Sequence, residues 1–141
     1  MRRFISILLF LFTVALTAST ALAEEFVVIV NKSNPVGRLS NQDAKRIFLG
    51  KRRTWPNRTM ITVITQEGTA VHKAFLRSVV GNTPKQYSTY WKQATFTGTG
   101  TAPKSFKTDA EVKAFVSSNV NAIGYIGWRS PDSSVKKVTL H

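Results

Sequence analysis

Apolar and polar residues follow two kinds of spacing along the chain. Continuous apolar or β-branched runs predict four strands, at residues 26–30, 59–64, 122–127 and 135–140. Apolar positions three and four residues apart predict four helices, which begin after Ser40, Thr69, Thr83 and Thr108. The resulting order, β-α-β-α-α-α-β-β, predicts an α/β fold with a mixed, mostly parallel sheet of about four strands and helices on both faces.

Turn and cap residues mark the ends of these elements. Residues 40–43 and 108–111 have the form of capping boxes, and Pro84 stands in the first turn of its helix. Gly50 follows the first helix at the position where a left-handed residue commonly closes a helix. Two lysines in the strand at residues 135–140 predict that this strand lies at an edge of the sheet.

Residues 1–23 have the composition of a secretory signal peptide. Two arginines precede an almost wholly apolar run from Phe4 to Leu16, and Ala21-Leu22-Ala23 is a small-residue cleavage site. The apolar run is shorter than the roughly 20 residues that span a bilayer, which disfavours the alternative of a retained membrane anchor. We therefore predict cleavage before Glu24, a periplasmic location without a membrane span, and one domain over residues 24–141.

Charge narrows the choice of partners. Without Arg2 and Arg3, the chain has 18 lysines and arginines against seven acidic residues, a net charge of +11. Such a charge favours anionic partners, namely small oxyanions, anionic lipid, polyanionic envelope sugars or nucleic acid. The basic residues form no motif interleaved with aromatic residues, so nucleic acid is not expected. A basic surface protein that binds anionic polymers remains an alternative.

The residue types present give little support to catalysis. The chain has no cysteine and two histidines, of which His141 is terminal and His72 is expected at the surface or half-buried. No serine stands in a nucleophile elbow, and neither a metal-ligand spacing nor a carboxylate pair is evident. We predict a protein that is not an enzyme and that uses no cofactor.

The turn after the strand at residues 59–64 is the first candidate for a binding site. In open α/β sheets, ligands bind beyond the carboxyl ends of strands, where the start of a helix offers free N–H groups. Gly68 would let the backbone approach a ligand, and Thr69 adds a hydroxyl. Gln66, Gly68 and Thr69 are therefore predicted to bind an oxyanion. The alternative is an ordinary turn in which Thr69 only caps the helix.

A second candidate lies in the loop from Thr97 to Pro103, which has no hydrophobic period. Its glycines would present successive N–H groups as an anion nest, with Gly98 and Thr99 as ligands. The alternative is a loop in which the glycines only provide flexibility.

Four stretches of the chain match one pattern. They are Ile47-Phe48-Leu49-Gly50-Lys51 with Trp55, Gln66–Thr69 before Phe75, Tyr90-Trp91 with Phe96-Thr97-Gly98, and Asn121–Ile126. Together they resemble the PstS-like, phosphate-type periplasmic substrate-binding proteins, which have the type II periplasmic-binding-protein fold. The resemblance extends from about residue 26 to residue 140. It implies an α/β lobe that takes part in phosphate capture for an ABC importer, with an ABC permease or an envelope receptor as partner.

The length of the chain departs from the family pattern. Family members have two lobes that close on the anion, whereas this chain has the length of a single lobe. A single lobe leaves one side of a bound anion open to water, which weakens each charge-assisted hydrogen bond. A second copy of the chain, in a homodimer, would supply the missing wall.

The phosphate turn also departs from the family pattern. The pattern Arg-x-Asp-Gly-Ser-Gly-Thr aligns with residues 65–71, so the arginine that would clamp the anion is absent at Thr65. Thr69 keeps a hydroxyl, whereas Glu67 places a carboxylate that would repel a dianion unless it accepts a proton from the phosphate. The expected function is binding of inorganic phosphate or a related oxyanion, and the alternative is a ligand-free lobe that acts as an envelope protein-interaction or sensory module. The cations that would replace the missing arginine are Arg38, Arg58 or Arg77.

Overall fold

The computed structural model describes residues 25–141, and the predicted signal peptide lies outside them. Within this part of the chain, no helix is both long and apolar enough to cross a membrane. The eight predicted elements are present in the predicted order, together with two short additional strands. The strands are β1 (Phe26–Asn31), β2 (Arg38–Leu39), β3 (Thr62–Thr65), β4 (Lys104–Ser105), β5 (Ala122–Gly127) and β6 (Val135–Leu140). The helices are α1 (Asn41–Phe48), α2 (Ala70–Phe75) with its π-helical continuation Leu76–Val80, α3 (Pro84–Phe96) and α4 (Asp109–Ser118).

The strands form one sheet in the order β2-β6-β1-β5-β3-β4. β1 runs antiparallel to both of its neighbours, whereas the other three pairs are parallel. The mixed, mostly parallel sheet is thus confirmed, but it has six strands rather than about four. β2 and β4 were missed because a strand of two residues is too short to show a hydrophobic period.

β6 is not an edge strand, so the prediction based on its two lysines was wrong. The strand lies between β1 and β2. The ammonium group of Lys136 reaches the backbone carbonyl of Asn34, and Lys137 is exposed. Neither lysine therefore obstructs pairing with a neighbouring strand.

Helices cover both faces of the sheet, as predicted. α1, α2 and α3 pack on the face that carries Val28 and Val30 of β1. α4 packs on the opposite face with Ile29. β1 is therefore buried on both sides, because successive residues of a strand point to opposite faces. Burial of each of these side chains contributes about 1.5–3 kcal/mol.

Side-chain caps begin all four helices at the predicted residues. Ser40, Thr69, Thr83 and Thr108 each accept a hydrogen bond from the backbone N–H three residues further on. Of the four, Thr83 alone forms a complete capping box, and its partner is Gln86. At the start of α4 the carboxylate of Glu111 accepts the hydroxyl of Thr108 at 3.1 Å instead of reaching the backbone. Gly50 closes α1 with φ +70°, as predicted.

Candidate functional site

The chain turns at the carboxyl end of β3 and enters α2 through residues 66–69. Gly68 lies at φ +80°, a conformation that glycine adopts without strain. A Cβ added to Gly68 would meet nothing within 4 Å. Glycine is therefore required by the conformation of the turn, and the space beside it is open.

The hydroxyl of Thr69 is engaged within this turn. It donates to the carbonyl oxygen of Gln66 at 2.7 Å and accepts from the N–H of His72 at 3.1 Å. This is the capping role that the sequence offered as the alternative. An oxyanion that used the hydroxyl proton would have to replace the bond to Gln66.

Successive backbone N–H groups remain free at the same turn. Among the described residues, the nitrogens of Gly68, Thr69, Ala70 and Val71 donate to no protein acceptor. The first N–H groups of a helix lack partners within the helix and carry the positive end of its dipole. These four donors are the feature of the turn best suited to an oxyanion.

A buried hydrogen-bond chain holds the turn from inside the molecule. The N–H of Gln66 donates to the hydroxyl oxygen of Tyr125 at 3.0 Å, and the same oxygen lies 2.5 Å from Nδ1 of His72. Gln66 N–H can only donate to this oxygen, and among the described residues Nδ1 of His72 is the acceptor within reach of the hydroxyl proton. Nδ1 of His72 is then the acceptor, which assigns the proton of the neutral ring to Nε2.

His72 is more buried than the sequence indicated. It was expected at the surface or half-buried, but 3% of its surface is exposed. Burial disfavours the charged imidazolium and lowers the pKa of His72 to about 4. The side chain is therefore neutral at physiological pH and acts as a fixed hydrogen-bond acceptor.

Asp109, the first residue of α4, lies beside the turn. Its carboxylate accepts from Nε2 of Gln66 at 2.8 Å, from the N–H of Gly127 at 3.2 Å and from the hydroxyl of Ser130 at 2.6 Å. Partial burial raises the pKa of this carboxyl, but the bonds from Ser130, Gln66 and Gly127 outweigh burial and hold the pKa below its usual value. The amide of Gln66, predicted to bind an oxyanion, thus binds the carboxylate of the chain itself.

Gly98 and Thr99 lie away from this turn, on a groove of about 640 Å³. The loop that follows α3 and the first half of β3 form its walls, and Gln66, Gly68 and Thr69 do not line it. The structure therefore does not bring the two predicted groups of ligands into one pocket.

The N–H groups of Gly98 and Thr99 already have acceptors. They donate to the carbonyl oxygens of Thr95 at 3.2 Å and Ala94 at 2.9 Å, in the last turn of α3. The guanidinium of Arg53 donates to the carbonyl oxygen of Thr99 at 2.7 Å. The predicted anion nest would need this turn to open before its N–H groups faced a ligand.

Three residues of the site went unrecognised in the sequence as site residues. Asp109 was noted only as part of a cap, Tyr125 only for its place in a family-like stretch, and Ser130 not at all. The partners in these bonds are 43, 59 and 21 positions apart in the sequence. No local spacing marks contacts over such distances. Within residues 25–141, no hydrogen bond or ion pair joins Arg38, Arg58 or Arg77 to the turn.

Solved structures share this fold. An ABC-type phosphate transport receptor from Vibrio cholerae matches with a TM-score of 0.66 and 22% identity, over 83% of this chain and 46% of that chain. A protein from Clostridium perfringens, described as a phosphate ABC transporter substrate-binding protein with bound phosphate, matches with a TM-score of 0.67 and 25% identity. The match covers 83% of this chain and 45% of that chain. PstS from Borrelia burgdorferi matches with a TM-score of 0.64 and 13% identity, over 84% of this chain and 47% of that chain. No protein-family model matches the chain, and no curated protein matches it significantly.

The chain spans less than half the length of these solved structures. The first two are described as components of phosphate transport, and none of the three is described as an enzyme. By fold, the chain is similar to one lobe of the PstS phosphate ABC transporter substrate-binding proteins.

Proposed function

We propose that the chain is an exported solute-binding protein that binds inorganic phosphate or a related oxyanion in connection with phosphate transport. One observation carries the proposal: four free N–H groups stand at the carboxyl end of β3, on a fold shared with phosphate receptors. The predicted signal peptide supports a periplasmic location. There the partner would be an ABC permease or an envelope receptor, and no catalytic step is required.

The charges near the turn set limits on affinity. The excess of cations over the whole chain favours approach of an anion. Glu67 precedes Gly68 in the turn and Asp109 binds the amide of Gln66, so two acidic residues belong to this region. Thr65 offers no positive charge in place of the family arginine. Hydrogen bonds to a charged group contribute about 1.5–3 kcal/mol each, so a few backbone donors give modest affinity. A second copy of the chain would raise it by shielding the anion from water.

The proposal is tested by calorimetric titration of phosphate into the purified protein, with sulfate as the control anion. Saturable heat with phosphate and none with sulfate is expected. A folded sample that gives no heat with either anion would overturn the proposal.

Ala70→Pro tests whether the anion binds at the turn. Proline lacks an N–H but is tolerated at the first position of a helix. The preceding Thr69 is extended, with φ −110° and ψ 159°, as a residue before proline must be. We expect phosphate affinity to fall by about tenfold or more, because one charge-assisted bond is lost, while thermal stability is retained. Ala70→Ser, which keeps the N–H, should bind as the wild type does; equal affinity of all three proteins would place the anion elsewhere.

The internal hydrogen bonds of the turn favour a second function. The hydroxyl of Thr69 and the amide of Gln66 are both used internally. Phe96 is 93% exposed, and Met60, which lines the groove, is 61% exposed. These observations support a ligand-free lobe that acts as an envelope protein-interaction or sensory module, which is the conclusion if no anion gives heat.

A further inference from the structure

Three hydrogen-bond donors from separate parts of the chain converge on one carboxylate. Gln66 follows β3, Gly127 ends β5, and Ser130 lies in the loop between β5 and β6. Nε2 of Gln66 contacts Oδ1 of Asp109, whereas the N–H of Gly127 and the hydroxyl of Ser130 contact Oδ2. An amide, a backbone N–H and a hydroxyl aimed at two oxygens form a donor set suited to a small oxyanion.

The donors are held by the fold independently of Asp109. The backbone N–H of Gln66 is bound to Tyr125, and the side chain of Gln66 is 3% exposed. The N–H of Gly127 belongs to β5, which is paired with β1 from Ile123 to Gly127. Removal of the carboxylate would therefore leave the N–H of Gly127 and the amide of Gln66 close to their present positions. The amide would keep only its longer contact, 3.5 Å, with the carbonyl oxygen of Tyr125.

This cluster adjoins the turn that carries the free N–H groups. A Cβ built on Gly127 would lie 3.0 Å from Oδ2 of Asp109 and 3.8 Å from Cγ2 of Val71. The carboxylate and the side chain of Val71, in the first turn of α2, thus flank the same point beside Gly127. A negative charge in this neighbourhood opposes the approach of a second anion to the turn.

We propose that the side chains and backbone of Gln66, Gly127 and Ser130 form an oxyanion site that the chain fills with its own Asp109 carboxylate, and that this internal ligand weakens binding of free phosphate at the adjacent turn. The first half of the proposal stands without the proposed function, whereas the second half rests on it. The opposing explanation is that the three hydrogen bonds only hold α4 against the loop after β5.

The test compares Asp109→Ala with Glu111→Ala in the otherwise complete chain. Both variants remove one negative charge from the first turn of α4, but Glu111 is exposed and bonds to Thr108 rather than to the donor cluster. Thermal unfolding is followed with added formate, which has the size of the missing carboxylate. We expect formate to raise the Tm of Asp109→Ala by a saturable few degrees and to leave Glu111→Ala and the wild type unchanged. An equal response of the two variants, or none, overturns the internal oxyanion site.

Asp109→Asn provides a second measurement that does not depend on the stability of the alanine variant. Asparagine keeps the shape of the side chain and removes its charge. We expect phosphate to bind Asp109→Asn about tenfold more tightly than the wild type at neutral pH, because one nearby repulsion is lost. Equal affinity in Asp109→Asn and Glu111→Ala would overturn the inhibitory role.

The two readouts separate this inference from the proposed function. If the wild type gives no response to phosphate but Asp109→Ala responds to formate, the internal site is supported and the proposed phosphate binding is overturned. If the wild type binds phosphate but Asp109→Ala does not respond to formate, phosphate binding is supported and the internal site is overturned.

Discussion

Tyr125 connects the surface turn after β3 to the centre of the molecule. Its ring stacks on Phe75 with the centroids 4.0 Å apart, and its hydroxyl lies between Gln66 and His72. Burial raises the pKa of Tyr125, so the hydroxyl stays protonated and donates to His72. The position of the turn, and of its free N–H groups, therefore depends on one fully buried side chain.

Tyr125→Phe should destabilise the protein by about 1–3 kcal/mol. The change leaves the N–H of Gln66 and Nδ1 of His72 buried without partners, and each unpaired group costs its desolvation. Tyr90→Phe is the matched control, because the half-buried hydroxyl of Tyr90 bonds only to the carbonyl oxygen of Leu49. Urea unfolding of both variants would contradict this account if the two losses of stability were equal.

His72 should make stability depend on pH. Its folded-state pKa, about 4, lies below its ordinary value of 6.5. The contribution of neutral His72 to the free energy of unfolding is therefore complete above about pH 6.5. It is lost as the pH falls toward 4, because His72 takes up its proton at a higher pH in the unfolded chain than in the folded one. The shift corresponds to roughly 3 kcal/mol. The ionised carboxylate of Asp109 also contributes to the free energy of unfolding, because its pKa is lowered in the folded protein. That contribution is lost only below the ordinary pKa of aspartate, at a lower pH than the contribution of His72.

Urea unfolding between pH 4 and 7 measures this contribution. His72→Gln should flatten the profile in that window, whereas His141→Gln should keep it, because His141 is exposed at the C-terminus. A profile that stays equally steep in both variants would assign the pH dependence to other groups.

At the scale of elements, the end of α1 is held by the aromatic side of α3. The hydroxyl of Tyr87 donates to the carbonyl oxygen of Phe48 at 2.7 Å, and that of Tyr90 donates to Leu49 at 2.6 Å. These bonds satisfy carbonyl groups that a helix end leaves free. Trp91 lies so close to Gly50 that there is no room between them for a side chain on residue 50.

Gly50→Ala should destabilise the protein more than Gly98→Ala. Both glycines have φ +70°, so both substitutions carry a left-handed strain of about 1–2 kcal/mol. A Cβ on Gly50 would also lie 2.7 Å from Cη2 of Trp91, whereas one on Gly98 would meet nothing within 4 Å. Overpacking of this kind adds about 1–3 kcal/mol. Thermal unfolding of the pair would contradict the packing argument if both variants lost the same stability.

At the scale of the whole molecule, most positive charge is unpaired. Within residues 25–141, ion pairs join Arg52 to Asp43 at 3.2 Å and Lys113 to Asp132 at 3.0 Å. The other basic side chains form no ion pair in this part of the chain. We therefore expect this surface to attract polyanions irrespective of any specific site.

Elution from an immobilised polyanion should separate this general attraction from specific binding. Retention by charge alone should weaken steeply as salt rises from about 0.05 to 0.5 M, because salt screens exposed charges. Added phosphate at constant ionic strength should change retention only if the turn binds it. Steep salt dependence without any response to phosphate would support the basic surface protein for anionic polymers.

Local patterns predicted much of the fold. The four longer strands, the four helices and their caps depend on periods of two and 3.6 residues and on bonds between neighbours, which a sequence displays directly. Burial of β1 on both faces was equally visible in its continuous apolar run. The number of strands and the position of β6 were not, because pairing joins residues such as Leu39 and Leu140 that are distant in the chain.

The sequence by itself therefore determined the elements, the helix caps, the Gly68 turn with its free N–H groups and the excess of positive charge. Only the tertiary structure decided what surrounds that turn. It buried His72 against Tyr125, placed Asp109 on the amide of Gln66, and moved Gly98 and Thr99 to a separate groove. The physical reason is that these contacts form between elements brought together by burial of apolar surface, which is non-directional and leaves no mark in local spacing.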